Sequence, residues 1–326
     1  MKYVVTGATG LVGGHLTRAI LTIKEEGDKV LALGRNEKIL NNLVSLGAST
    51  EKLDITADLS EFNLLDDWGG ESSIWYHCAA AVTGDSDANF QKINIDGTEK
   101  LIKKAEELKI NKFVLISSIA IYGLHSDNPD GFQEDNSPNP ANSYGASKLN
   151  QEELLKSSKL NWLIFRPPFI GGPEDKNVLL EFSVRIKSGK MPRISKEGYL
   201  GYVDARDLGY IVFKGSKSDF VNQAYNVQNN SHSLGEFVNT LGENLGLEPP
   251  YGKKYPYRVL MIIGHMNDLF AKLRGKSAAR SISAYRIRGL TSRRFLDTTK
   301  IITDLDFKPK YNLDQSITDW LKTKNE

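Results

Sequence analysis

The chain has 326 residues, 40% of them hydrophobic and 25% charged, with a formal net charge of +2; this is the composition of a soluble globular enzyme with one large or two modest domains. Its single cysteine, Cys78, excludes an internal disulfide and fits a reducing compartment. No stretch approaches the ~18 apolar residues of a spanning helix, and the apolar N-terminus is broken by Gly7, Gly10, Gly13 and Gly14, so it reads as a strand rather than a secretory segment and a cytoplasmic protein is expected.

In chain order, Tyr3 to Thr6 predicts a β-branched first strand, followed by the loop Gly7-Ala-Thr-Gly10-Leu-Val-Gly13 and a helix to about Lys24. Lys29 to Leu33 predicts the second strand, and residues 43–58 a helix end and a third. Ile74 to Cys78 reads as the fourth strand, Asn94 to Leu108 as a helix rich in Glu and Lys, and Lys112 to Ile116 as the fifth strand. Strands alternating with helices imply an α/β fold: a Rossmann-type, doubly wound parallel sheet with ligands at the carboxyl ends of its strands. From Gly172 the rhythm fades, although Ala224 to Gln228 reads as a last sheet strand and Ser233 as the cap of a further helix. The expected division is a dinucleotide-binding domain of residues 1–172 with 203–230, and a smaller, mostly C-terminal substrate-binding subdomain of residues 173–202 with 231–326. The Pro-, Asn- and Asp-rich stretch from Ser126 to Asn142 reads as an active-site lid or as a surface loop.

Three groups of residues carry chemistry. GxxGxxG directly after a strand is a phosphate-binding loop: Gly7 permits the tight turn, Gly10 close backbone approach, and Gly13 helix-to-strand packing. At the end of the second strand stands Gly34-Arg35-Asn36, with no carboxylate to take a ribose 2′-hydroxyl. Arg35 can pair with a 2′-phosphate, which favours NADP over NAD. Finally, Tyr144 and Lys148 are four apart and share one helix face, 26 residues after Ser118. A phenol ordinarily ionises near pH ~10, and a neighbouring ammonium brings that proton within reach of neutral chemistry.

These residues resemble the extended short-chain dehydrogenase/reductase family, the NAD(P)-dependent epimerase/dehydratase superfamily. The resemblance runs through Thr6 to Gly13, Asp58-Leu59, His77 to Ala80, Asn94 to Thr98, Ser117 to Gly123, Tyr144-xxx-Lys148, Arg166 to Gly171 and Tyr202 to Asp207. It implies that Gly7, Thr9, Gly10, Leu11, Val12 and Gly13 line the pyrophosphate, Asp58 and Leu59 flank adenine, and Ala79 and Ala80 line pyrophosphate and ribose. It further implies that Ser118 orients the substrate oxygen, Tyr144 is the general acid/base, Lys148 binds the nicotinamide ribose and lowers the Tyr144 pKa, and backbone at Pro168, Phe169 and Ile170 holds the carboxamide. Asn94, His77 and Asp204 are expected to be structural, and no metal site is expected. The stretch from Thr298 to Leu321 resembles the family's closing turn and helix.

Departures narrow the implied chemistry. Nucleotide-sugar dehydratases of the family carry an acidic pair just after the active-site Ser, where this chain has Ile119 and Ala120. Phe169 stands near where sugar epimerases have an Asn, so the resemblance is closer to the hydroxysteroid dehydrogenase and dihydroflavonol reductase-like branch. An oxidoreductase acting on a secondary alcohol or ketone of a small, apolar or acidic substrate is expected; a nucleotide-sugar epimerase and a non-catalytic cofactor-binding scaffold are the alternatives. Residues 251–300 hold seven Arg and five Lys against Asp268 and Asp297, a net +10 within a chain of +2. Arg280, Arg286, Arg288, Arg293 and Arg294, with Tyr285 and Phe295 between them, read as exposed helix faces, an anion site, or a peripheral lipid contact helped by Val259 to Met266. No nucleic-acid module accompanies this charge. A homodimer through the helix of Tyr144 and its neighbour is the family expectation.

Overall fold

In a computed structural model of the chain, which describes residues 1–57, 63–82, 85–124, 128–273 and 283–324, the apolar runs beginning at Tyr3, Val30, Ile74, Phe113 and Leu163 become buried strands, and shorter, more exposed strands accompany them. The strands are β1 (Lys2–Thr6), β2 (Lys29–Gly34), β3 (Ser49–Lys52), β4 (Ser73–His77), β5 (Lys112–Ile116), β6 (Trp162–Arg166), β7 (Phe169–Gly171), β8 (Arg193–Ile194), β9 (Tyr199–Asp204), β10 (Gln223–Asn226), β11 (Asn230–Ser233), β12 (Lys254–Tyr255) and β13 (Arg293–Arg294). The helices are α1 (Leu11–Ile23), α2 (Glu37–Ser45), α3 (Asp87–Asn89), α4 (Gly97–Glu107), α5 (Ser143–Lys156), α6 (Val178–Lys187), α7 (Ala205–Ser216), α8 (Leu234–Asn244), α9 (Tyr257–Leu273), α10 (Ala284–Leu290), α11 (Thr299–Leu305) and α12 (Leu313–Lys324).

Seven strands form one parallel sheet in the order β10-β6-β5-β4-β1-β2-β3. The order reverses between β1 and β4, where Val4 lies opposite Trp75 on one side and Leu31 on the other. Helices cover both faces, as parallel strands without a solvent face require. One face is closed by α1 and α7 through Leu16, Ile20, Leu208 and Ile211, joined by Ile301 and Leu305 of α11. The other is closed by α4 and α5 through Leu101, Ala105 and Leu155. The two helices of the first face touch at Gly209, where a Cβ would lie 2.9 Å from the His15 backbone.

A second core gathers Leu179 and Ile186 of α6, Phe237 and Leu241 of α8, and Ile317 and Trp320 of α12. Over it runs a small sheet in which β9 pairs in parallel with β7 and β13 and antiparallel with β11. The strand at Gln223–Asn226 and the Ser233 cap follow the sequence expectation, the Ser233 hydroxyl accepting from the Glu236 amide. The helix expected from Asn94 differs at its start: residues Phe90–Asp96 form a π-helical turn that leads into α4. The wider turn carries Asn94 inward, where its side chain accepts from the Ala81 amide (2.7 Å) and donates to the Ala81 carbonyl (3.1 Å) and to Ser147 Oγ (2.9 Å). Those bonds tie the end of β4 to α5. Among the described residues no helix is long and apolar enough to cross a membrane.

Candidate active site

The glycine loop fills the point where the sheet order reverses. Gly7 has φ +69°, and a Cβ there would sit 2.6 Å from the Ala79 nitrogen; one on Gly13 would sit 2.3 Å from the Gly7 carbonyl. Only bare backbone fits. Gly10 precedes α1 with no side-chain cap and no acidic residue in the first turn, so the amides of Leu11, Val12 and Gly13 keep their hydrogen-bonding capacity for a ligand. A cradle of this shape fits a dinucleotide pyrophosphate. Thr9 packs beneath Gly34, where a Cβ would come within 2.5 Å of the Thr9 methyl. Arg35 follows at the end of β2, exposed, with its charge acting on Asp54 and Asp85. Ala79 and Ala80 are half-buried after β4, Pro168 is buried, and Phe169 and Ile170 are half-buried beyond the carboxyl end of β6. Asp58 and Leu59 lie outside the described residues, as does Arg280.

Ser118 follows β5 in extended backbone, its Oγ accepting from the Ala120 amide (3.2 Å) and capping a short 3-10 segment, Ile119–Tyr122. Tyr144 lies in the first turn of α5, capped by Asn142, whose side chain accepts from the Gly145 amide (2.7 Å). Gly145 explains how the two segments meet: a Cβ there would lie 2.5 Å from the Ala120 carbonyl. With helix backbone against 3-10 backbone, the Tyr144 phenol comes close enough to Ser118 to feel its hydroxyl. The Phe90 ring, 6.0 Å from that of Tyr144, closes the other side. Burial pushes the Tyr144 phenol above its ordinary value, while the Ser118 hydroxyl and the positive charge of Arg294 pull it back.

Arg294 is a site residue that the Tyr/Lys pattern did not reveal. It stands on β13, and its Nε is buried without a hydrogen-bond partner among the described residues. Burial lowers its pKa, and Tyr285 and Tyr144 oppose that. Lys148, one turn after Tyr144, faces inward instead: its Nζ donates to the Ile116 carbonyl at 2.9 Å, and burial draws it down to about 8. Its charge acts on His77 and Cys78. His77 is fully buried between Thr6 Oγ1 (2.8 Å) and Thr98 Oγ1 (2.9 Å), and burial takes it down to about 3; burial also pushes the Cys78 thiol up to about 12. Both are structural.

Beneath the pair lies a buried polar network. Glu152 continues the stripe of Tyr144 and Lys148 by one more turn, and Arg166 at the end of β6 grips it with two bonds of 2.9 and 2.6 Å. Ser117 donates to the same carboxylate (2.6 Å), and Arg166 also donates to the Tyr122 hydroxyl (2.6 Å) and the Glu134 carbonyl (3.0 Å). Glu134 accepts from the Asn226 amide at 2.8 Å, so the described part of the stretch before Asn142 is anchored. Four-residue spacing through 144, 148 and 152 was the signal that could have found Glu152. Arg294 lay within the +10 segment without being distinguished from its neighbours.

The family model for the NAD dependent epimerase/dehydratase family matches residues 3–212. The chain belongs to that family. It is 24% identical to an N-acetyl-alpha-D-glucosaminyl-diphospho-ditrans,octacis-undecaprenol 4-epimerase of Escherichia coli O157:H7, over 70% of each chain. It is equally 24% identical to a decarboxylating sterol-4-alpha-carboxylate 3-dehydrogenase of Candida albicans, over 84% of this chain and 82% of that one. Among solved structures it is similar to a UDP-glucuronic acid 4-epimerase of Bacillus cereus in complex with UDP-glucuronic acid and NAD, with a TM-score of 0.75 and 21% identity over 100% of this chain and 99% of that one. Family membership makes this an NAD-dependent enzyme; Tyr144 approaches Ser118 beyond the carboxyl end of β5, while Lys148, one turn further along α5, reaches the Ile116 carbonyl.

Two outcomes follow from the geometry. Although burial alone raises it, Glu152 is held below the usual carboxylate range by Arg166, Lys156 and Ser117. Its stabilisation is therefore complete above the unfolded value of about 4.3 and is lost as pH falls through the lower folded value. Glu152→Ala strands the Arg166 charge and should lower unfolding free energy by about 3–5 kcal/mol in denaturant titration; Glu152→Gln should lack this acid-dependent loss. Arg294→Met removes a cation that favours the phenolate, so Tyr144 should titrate at higher pH, as read from its ring signal in tyrosine-labelled NMR.

Proposed function

We propose that the chain is an NADP-favouring oxidoreductase acting on a secondary alcohol or ketone of a small, apolar or acidic substrate, with Tyr144 as general acid/base. The observation that carries this reading is the close packing of Gly145 on Ala120, which sets Tyr144 against Ser118, with the buried Arg294 Nε unpartnered among the described residues. When bound, the nicotinamide cofactor donates or accepts the hydride at the substrate carbon. In the reducing direction Tyr144 gives its proton to the carbonyl oxygen, and Ser118 donates a hydrogen bond to the charge developing there. Arg294 then stabilises the phenolate that remains. Lys148, fixed by the Ile116 carbonyl, would meet the nicotinamide ribose, and backbone at Pro168, Phe169 and Ile170 the carboxamide.

The substrate class rests on three supports. Ile119 and Ala120, where dehydration would need an acid and a base, are buried aliphatic side chains. Phe169 packs against the apolar second core. Two of the relatives are described by a polyprenyl-linked and a sterol-carboxylate substrate, chemistry that the apolar Phe169 and the Arg294 cation would suit. In this reading residues 173–202 with 231–326 supply the substrate contacts, and the protein works as a cytoplasmic homodimer. Epimerisation through a transient ketone is the second reading, favoured by the undecaprenol-linked 4-epimerase relative; it uses the same pair and consumes no nicotinamide overall.

Tyr144→Phe should keep its cofactor Kd and lose roughly 100- to 10,000-fold in kcat; unchanged turnover would refute the acid/base role. Steady NADPH oxidation with a ketone substrate would favour reduction, whereas sugar interconversion at constant NADPH would favour epimerisation. Arg35→Ala should weaken NADP binding about tenfold, by loss of a charge-assisted phosphate contact, and leave NAD binding nearly unchanged in calorimetry. An equal loss for both would remove Arg35 as the selector.

A further inference from the structure

Helix α9 is apolar on two opposite sides. Its inner side packs on α10: Leu260 is buried, a Cβ on Gly264 would lie 2.7 Å from the Ala284 nitrogen, and Asp268 accepts from the Ala284 amide at 3.0 Å. Its outer side carries Val259, Ile262, Ile263, Met266, Leu269 and Phe270, each between 39% and 62% exposed. At ~100° per residue these six occupy one arc of roughly 120°, where a surface helix ordinarily places charge. Single exposed apolar residues are normal on any protein; a contiguous stripe of six marks a contact surface.

The charges around the stripe choose the occupant. Arg258 and His265 border it, and Lys253 and Lys254 stand exposed just before the helix. Lys253, Lys254 and Arg258 enter no ion pair among the described residues. The two aspartates of residues 251–300 are turned elsewhere: Asp268 to α10, and Asp297 to Thr299 and Gln133. A second copy would present the same patch by two-fold symmetry and set cation against cation. An anionic lipid surface answers both features at once.

We propose that the outer face of α9 docks the protein on anionic lipid, with Val259, Ile262, Ile263, Met266, Leu269 and Phe270 entering the headgroup boundary and Lys253, Lys254 and Arg258 meeting the phosphates. The docked face lies one helix from the catalytic pair. Tyr285 of α10 accepts a hydrogen bond from Asn142 at 2.7 Å, and Asn142 caps the helix of Tyr144. The assignment stands on the helix itself and is independent of the catalytic reading.

Co-sedimentation of the purified full chain with vesicles tests it. Vesicles of equal parts phosphatidylglycerol and phosphatidylcholine should bind the protein roughly tenfold more tightly than phosphatidylcholine alone, with binding weakened by salt. The triple variant Ile262→Gln, Met266→Gln, Leu269→Gln should lose binding while keeping its circular dichroism and thermal midpoint. Lys253→Gln with Lys254→Gln and Arg258→Gln, which leaves the stripe intact, should lose the preference for anionic lipid. Equal binding of the triple variant, or no binding by the parent chain, would overturn the proposal. So would a dimer in sedimentation velocity that the triple variant abolishes in a protein that ignores vesicles, which would give the face to a second copy.

Discussion

The ion pair between Arg166 and Glu152 holds the candidate site in place. Arg166 ends the strand beside the one that delivers Ser118, and Glu152 lies two turns beyond Tyr144 on α5. Joining them fixes the helix against the carboxyl edge of the sheet. Burying both charges is expensive, and the Coulomb attraction alone does not offset it. The surrounding bonds do more: Ser117, Tyr122, Lys156 and the Glu134 carbonyl take up the remaining lone pairs and N–H groups. A fully satisfied network of this kind admits one arrangement, since any slip of α5 along the sheet would strand several polar groups together.

The sequence made the central sheet legible because parallel strands buried on both faces are written as unbroken apolar runs, as in Phe113 to Ile116 of β5. The glycine loop and the Tyr144/Lys148 pair were legible because both depend on spacing within a single turn or helix. What escaped were features set by distant pairings. Arg294 enters the site only because two residues of β13 pair with β9, nearly a hundred positions earlier. Nothing local marks it among its arginine neighbours. Likewise Val259 to Met266 showed as an apolar run, but only packing reveals that α10 covers one side of that helix and leaves the other bare. The π-helical turn at Phe90–Asp96 was also hidden, because its apolar spacing reads as ordinary helix.

The charges near Tyr144 divide their work in a way the family pattern alone did not show. Arg294 acts on the Tyr144 phenol from the C-terminal half of the chain, beyond the matched residues 3–212. Lys148 acts downward, on the floor formed by His77 and Cys78. The Ser118, Tyr144 and Lys148 positions thus lie within the family-matched first part of the chain, and the cation that acts on the phenol lies outside it.

That floor has a consequence of its own. With the imidazole held near 3 and the thiol near 12, Lys148, drawn down to about 8 by burial, is the group of the three that changes charge between mild acid and mild alkali. His77 and Cys78 themselves stay electrically silent across the physiological range. Mild alkali would therefore remove the ammonium's charge beneath Tyr144 and leave the ring and the thiol unchanged.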